Sequence, residues 1–261
     1  MNISSTPEAN DRCNVRRLAG SVLFALAVFP LGGQCGAPFE TEDPNTVSGG
    51  QVELLFFYAS TLQGAGRSGS APGLEVHVGA LEGLEVDLVA ALAFDRPSGL
   101  TTRWGYGDTT LGVKYQVLAE SETTPLISLV PKLTFPTGNG DRGLGNGSSQ
   151  IFLSASALKT YDSFQTYGNA GYWINNGTDN RNYWFLGWQA QYRFSDAWTL
   201  GAEVFHTTPQ APGQGASTGF NVGGYYAINP KSQFLFSAGR GLQNAAETNR
   251  VSVYAGLQWS L

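Results

Sequence analysis

Few residues in this chain could do covalent chemistry. There are 2 histidines, His77 in "HVG" and His206 in "HTT". A nucleophile needs its base within hydrogen-bond reach, and a strand-borne hydrolase would place a Ser two residues after the His. Neither motif supplies that Ser. Thr208 sits at the right offset from His206, but as a weak substitute with no supporting base. The 2 cysteines, Cys13 and Cys35, lie near the N-terminus, so a metal site elsewhere would rest on carboxylates alone. "GNGDRG", residues 138–143, formally satisfies GxGxxG. A dinucleotide site also needs a following helix, and "SSQIFLSASALK" downstream alternates as a strand. An isolated Asp141 does not make a Ca²⁺ loop either, and the segment reads as an external loop. The sequence therefore predicts no catalytic residue, no metal and no cofactor.

What remains is a set of charges spaced along alternating segments, and their meaning depends on those segments. In "NYWFLGWQAQYRFSDAWTLGAEVFH", residues 182–206, Trp184, Leu186, Trp188, Ala190, Tyr192 and Phe194 share one side. Tyr183, Phe185, Gly187, Gln189, Gln191 and Arg193 share the other. After Ser195-Asp196-Ala197 the alternation resumes with Trp198, Leu200, Ala202 and Val204. A period of two is a strand signal, and three tryptophans on one face of a hairpin need an apolar surrounding.

The composition narrows what surrounds them. Charged residues are 13 %, aromatic residues 12 %, and there are 34 glycines, against about 25 % charged in an ordinary soluble domain. A formal charge of −5 without a Lys/Arg cluster argues against nucleic acid as a partner. The N-terminus has the form of an export signal. Arg12, Arg16 and Arg17 precede the apolar run "LAGSVLFALAVFPLGG" and then the small residues of "QCGA". Residues 1–37 are read as a signal peptide with an approximate cleavage site. Lipid attachment at Cys35 is an alternative, although Gly32 stands where a branched apolar residue would be wanted.

Beyond a short polar lead, residues 38–50, expected in the periplasm, alternating segments of roughly ten residues recur, the length a tilted strand needs to cross a bilayer. They fall at 51–60, 73–80, 84–94, 106–119, 125–136, 150–159, 164–175, 183–194, 198–207, 219–228, 233–241 and 250–261. Short connections such as "LEG", "TYDS" and "NPKS" interleave with longer ones at 61–72, 95–105, 137–149, 176–182, 208–218 and 242–249. That rhythm predicts an all-β fold: a transmembrane antiparallel up-and-down β-barrel of about twelve strands over residues 51–261. A soluble β-sandwich has similar alternation, but should carry more surface charge. Its aromatic residues should also not gather at strand ends as Tyr58, Trp184, Trp198, Tyr226 and Trp259 do. The final strand, with Val251, Val253, Ala255, Leu257, Trp259 and Leu261 on one face, suits barrel closure. The tryptophans are expected to face lipid.

The opposite face then lines the lumen. Glu53, Glu75, Glu85, Asp87, Asp108, Lys114, Lys132, Arg193 and Glu203 fall there, as does His77. Charge on the lipid side at mid-bilayer costs about 2–4 kcal/mol, so this segregation is expected. Such residues either form ion pairs that fill a narrow barrel or line a selective path. Glu203 has few obvious partners and is the stronger selectivity candidate. Phe57, Tyr167, Trp173, Tyr183, Phe185 and Tyr225 also point inward, more rings than a plain water-filled pore would want.

Three stretches carry a resemblance: "APFETEDPNTVSGGQVEL", "GYGDTTLGVKYQVL", and "PLISLVPKLTFPTGNGD" with "GLGNGSSQ". Together they resemble the bacterial family called Putative MetA-pathway of phenol degradation, outer-membrane barrels described as transporters. The likeness extends over roughly the whole chain after the export segment. Asp43, Glu53, Asp108, Lys114, Lys132 and the turn at Pro136-Thr137-Gly138 match, with "TEDP" where the family usually has "TDD". The resemblance implies architectural or lumen-lining roles for these residues, no catalytic residue, and uptake of hydrophobic or aromatic molecules.

The expectation is thus a Gram-negative outer-membrane channel for passive passage of small, hydrophobic or aromatic solutes. It would be embedded in lipid and monomeric, since a closed barrel offers no strand edge. A non-conducting structural or surface-display barrel is the alternative, and a lipid-modifying enzyme a more distant one.

Overall fold

The computed structural model describes residues 36–261; the expected export segment up to residue 35 lies outside them. Its strands are β1 (Val52–Gln63), β2 (Gly66–Leu81), β3 (Leu84–Pro97), β4 (Arg103–Tyr106), β5 (Thr109–Leu118), β6 (Leu126–Phe135), β7 (Gln150–Tyr161), β8 (Phe164–Asn175), β9 (Tyr183–Arg193), β10 (Trp198–Thr207), β11 (Ser217–Asn229), β12 (Ser232–Gln243) and β13 (Val251–Ser260). Each pairs antiparallel with its neighbours in sequence, and β4 and β5 both pair with β3 as two parts of one broken strand. The sheet closes where β13 pairs with β1, Leu54 opposite Trp259, and the Leu261 N–H reaches the Val52 carbonyl. The result is a closed barrel of twelve spanning strands.

Closure removes every edge from the sheet and satisfies the backbone internally, which is what hydrocarbon surroundings require. The outward rows are apolar: Trp184 is 52 % and Trp188 60 % exposed, with Leu186, Leu200 and Val204 beside them. The inward rows hold the buried charges and rings. Alternation on β9 and β10 therefore places the residues as their period of two demands.

Two segments differ from expectation. Residues 61–72 are mostly strand, because β1 and β2 continue to a tight turn at Gly64-Ala65. A register shift across Ser70–Gly73 absorbs Pro72, which cannot donate to the ladder. Arg67 ties this tall hairpin together by donating to Ser60 Oγ and Tyr58 Oη. The segment expected as one strand at 106–119 is broken at Gly107-Asp108. There the Asp108 carboxylate accepts the N–H groups of Gly138 and Asn146 at 2.9 and 2.6 Å. These bonds fasten the 137–149 loop over the break, and Leu144, 3 % exposed, seats against Gly105.

Candidate functional site: a lumen crossed by the N-terminal lead

The lead that the sequence placed in the periplasm runs inside the barrel. It has no period of its own, and its backbone polar groups find partners on the inward face of the wall. The Ala37 and Pro38 carbonyls accept from Tyr225 Oη on β11 (3.3 Å) and Ser237 Oγ on β12 (2.5 Å). Glu203 on β10 accepts the Glu40 N–H, the Thr41 N–H and the Thr41 hydroxyl at 2.7–2.8 Å. Across the lumen, Glu42 pairs with Lys132 at 2.9 Å and Lys114 at 3.4 Å. The Pro44 and Asn45 carbonyls accept from Ser128 and Lys114. The Val47 N–H then reaches Glu85 at 2.7 Å, and Gly50 joins Gly79 beside the start of β1. The lead thus bridges the β10–β12 wall and the β5–β6 wall.

Room for this crossing is made by Gly187 on β9. A Cβ there would stand 2.4 Å from Thr41 Oγ1, so the close approach excludes any side chain.

Glu203 is accordingly not short of partners. Besides the lead it accepts from Asn221 Nδ2 at 2.6 Å, so each oxygen receives two donors. The sequence could not show this because the lead's path is not encoded by alternation. Two other expected lumen residues stand elsewhere. Asp108 anchors the external loop, and Arg193 is exposed at the short-turn end of β9; neither borders a chamber.

The lead is a wall of two chambers. The inner one, toward the short turns, has a volume of about 420 Å³ and is bordered by Glu53, Glu75, Glu85, Asp87, Lys114 and Lys132, with His77. His77 lies between Glu75 (3.3 Å) and Glu85 (3.0 Å). Glu53 accepts from Gln258 and, at 2.8 Å, from Ser260. Asp87 lies over Gly112, where a Cβ would meet its carboxylate at 2.2 Å.

The outer chamber, toward the long loops, is about 170 Å³, with rings on part of its wall and Ser, Thr, Asn and Gln side chains on the rest. Trp173 stacks between Phe152 (4.6 Å) and Tyr183 (5.9 Å), and Phe185 stacks on Phe205 (6.4 Å). Tyr254 closes another side, stacked on Phe57 at 5.8 Å. Tyr167 and Tyr225 are also inward, Tyr167 buried against Leu126 and Leu158. Phe152, Phe205 and Tyr254 were not singled out from sequence, although they occupy inward positions of their strands. Glu40, on the lead, borders this chamber. Its carboxyl is pushed up to about 7, first by burial, which disfavours the charged form, and then by the neighbouring Glu203.

A single cross-strand row joins the chambers. Glu53, His77, Asp87, Gly112, Lys132, Phe152, Trp173 and Tyr183 are successive partners from β1 to β9. Strands in a barrel are tilted and staggered, so such a row climbs the wall. It passes from charge at the inner end to stacked rings at the outer.

The residues proposed for hydrolysis are not brought together. His206 Nδ1 lies 2.8 Å from Thr218 Oγ1, and Thr208 Oγ1 accepts the Trp184 N–H. Among the described residues no group of three or more His, Cys, Asp or Glu is placed to share a metal ion.

The sequence profile of the family described as Putative MetA-pathway of phenol degradation matches residues 39–260. The chain belongs to this family. That match to the MetA-pathway family begins within the lead and so covers most of the segment that crosses the lumen. No curated protein matches the chain by sequence. Among solved structures, the COG4313 outer membrane channel from Pseudomonas putida F1 is similar with a TM-score of 0.69 at 17 % identity, covering 84 % of this chain and 98 % of that one. The NanC porin (TM-score 0.56, 9 % identity) covers 80 % of this chain and 100 % of its own. For the KdgM porin in complex with disordered oligogalacturonate the values are 0.54, 11 %, 79 % and 99 %. At these identities the likeness establishes a shared fold, the outer-membrane porin-like barrel.

Proposed function

We propose that this chain is an outer-membrane channel for passive passage of small aromatic or hydrophobic solutes, exported through a signal peptide and working as a monomer in lipid. The observation that carries this reading is the outer chamber. Phe152, Trp173, Tyr183, Phe185, Phe205 and Tyr254 bring aromatic surface to it, and among the described residues the Asn169 amide and the Tyr254 hydroxyl border it without a hydrogen-bond partner. Ser, Thr, Asn and Gln side chains make up much of the remaining wall, so a guest would meet aromatic surface on one side and hydrogen-bonding groups on the other. The neighbours of the same fold include an outer-membrane channel and porins, which supports conduction. The family description supports an aromatic solute.

A second reading has its own observation. The lead is held across the lumen by buried hydrogen bonds and ion pairs. This favours a non-conducting structural or surface-display barrel. Among the described residues, His206 and Thr208 have separate partners, Thr218 and Trp184, which does not favour the lipid-modifying enzyme.

Liposome permeability of the refolded protein separates the two readings. Small aromatic acids permeating faster than sugars of similar size, with the difference lost in Trp173→Ala, is the expected result. Equal rates for both classes would mean a general pore, and no permeation of either would select the structural barrel.

A further inference from the structure

Two arginines face each other on the outside of the wall. Arg67 on β2 and Arg96 on β3 are direct cross-strand partners at the long-loop end, and both are exposed. Alternation sets their face. Arg96 follows Leu88, Leu92 and Phe94 along the outward row of β3, and Arg67 stands opposite Leu62, an exposed outward residue of β1. Like charges directly opposite in a sheet repel. Among the described residues no carboxylate pairs with either guanidinium. The outward rows of β13, β1, β2, β3 and β4 carry no acid either. The fold thus gathers positive charge at one spot and supplies no counter-ion.

The spot is also organised. Arg67 donates from Nε to Ser60 Oγ at 2.7 Å and from Nη2 to Tyr58 Oη at 2.9 Å. These bonds draw its guanidinium down the wall from the level of Leu62 to that of Tyr58, and they leave its other N–H donors for a guest. Tyr58 stacks on Phe94 at 6.3 Å, and Phe94 lies 5.1 Å from Trp104. Gly69 makes room for this row, since a Cβ there would meet the Phe94 ring at 2.5 Å. Outward Tyr, Phe and Trp at a strand end form an aromatic girdle, the level at which hydrocarbon gives way to head groups.

The guanidinium fork matches the paired oxygens of a phosphate, whereas an ammonium offers only a point charge. The lysines of this chain are elsewhere: Lys114 and Lys132 border the lumen, and Lys159 and Lys231 are at the short-turn end. A free anion would make no use of the girdle beneath it. We propose that Arg67 and Arg96 bind the phosphate head group of a membrane lipid in the leaflet at the long-loop rim. A phosphomonoester fits, with two negative charges for two guanidinium groups, and its acyl chains lie along the exposed Phe56, Leu88 and Leu92. This site is on the outside of the wall and is independent of whether the barrel conducts.

The test is native mass spectrometry of the refolded full chain, released from neutral-detergent micelles that contain phosphatidic acid or phosphatidylcholine of the same acyl chains. One retained phosphatidic acid per chain is expected, with phosphatidylcholine held at least about ten-fold more weakly. Arg67→Gln and Arg96→Gln should each weaken retention of phosphatidic acid about ten-fold, as loss of a charge-assisted contact does. Lys231→Gln, which removes the same charge at the opposite rim, should leave it unchanged. The strand signature in circular dichroism checks folding. Arg96 has no hydrogen-bond or ion-pair partner among the described residues, so its variant decides even if Arg67→Gln does not fold. Equal retention of the two lipids overturns the proposal. So does a loss in Lys231→Gln equal to that in Arg96→Gln, which would mean unspecific attraction of anions. Displacement of the lipid by inorganic phosphate at equal concentration would also overturn it, and would assign the pair to a free anion.

Discussion

Glu203 Oε2 holds both the backbone N–H of Thr41, at 2.8 Å, and its hydroxyl, at 2.7 Å, joining residues 162 positions apart. This carboxylate is the main fastening of the lead to the β10 wall. In Glu203→Ala the Glu40 and Thr41 N–H groups lose their acceptor inside the barrel. The expected result is a loss of about 3 kcal/mol or more of stability and a larger single-channel conductance as the lead loosens. Thermal unfolding and planar-bilayer recording measure the two effects; a variant with unchanged melting and conductance would show that Glu203 does not hold the lead.

Gly187→Val tests the same crossing from the other side. The added Cβ stands 2.4 Å from Thr41 Oγ1, and overpacking of this kind costs about 1–3 kcal/mol. Conductance should rise here too, while Gly99→Ala, which meets open space but carries the local strain of a φ of +78°, should leave it unchanged.

In the channel reading, Glu40 is expected to make selectivity depend on pH. Its carboxyl is pushed up to about 7, so it is neutral well below that pH and negative well above it. Charge at the outer chamber therefore becomes more negative as pH rises from 6 to 8, roughly one unit either side of that value. The preference for K⁺ over Cl⁻, read from reversal potentials, should increase over this window. Glu40→Gln should flatten the profile; an identical pH dependence in that variant would remove Glu40 from the account.

Asp108 fastens the 137–149 loop through the N–H groups of Gly138 and Asn146. Asp108→Ala should expose this loop to cleavage at Arg142, seen as faster nicking by trypsin with the barrel otherwise intact. Equal cleavage rates would mean that Leu144 alone keeps the loop seated.

The outward face can be probed at Leu186, in the middle of β9 and 48 % exposed. Leu186→Arg should cost about 2–4 kcal/mol when the protein is folded in a bilayer. The cost should be far smaller for Phe194→Arg, on the same outward row at the short-turn rim and 63 % exposed. Equal costs at the two positions would mean that Leu186 does not face hydrocarbon.

The wall was legible in the sequence because alternation records which side of a strand meets lipid. Trp184, Trp188 and Leu200 on one side, and Trp173, Tyr183 and Phe185 on the other, needed no further information. The lead was not legible. "APFETEDPNTVSGG" has no period, and its partners Ser237, Glu203 and Lys132 are brought near only once the barrel has closed. For that reason Glu203 looked unpartnered in one dimension although it is saturated in three. The break at Gly107-Asp108 was hidden for a related reason. Asp108 fits the alternation of a strand, and only its bonds to Gly138 and Asn146 show that it serves a loop. Residues 61–72 erred in the other direction, since their glycines and Pro72 suggest a loop while the ladder absorbs them at a register shift.

The seam between β13 and β1 has a topological consequence. The lead enters the lumen immediately before β1, and β1 is hydrogen-bonded on both of its sides. While the sheet is intact, the lead cannot leave through the wall and can come out only through an end of the barrel. The wall must therefore be laid down around it, or it must be drawn in end-first afterwards. The fastenings from Pro38 to Val47 are then either in place before the wall closes or made inside a finished wall.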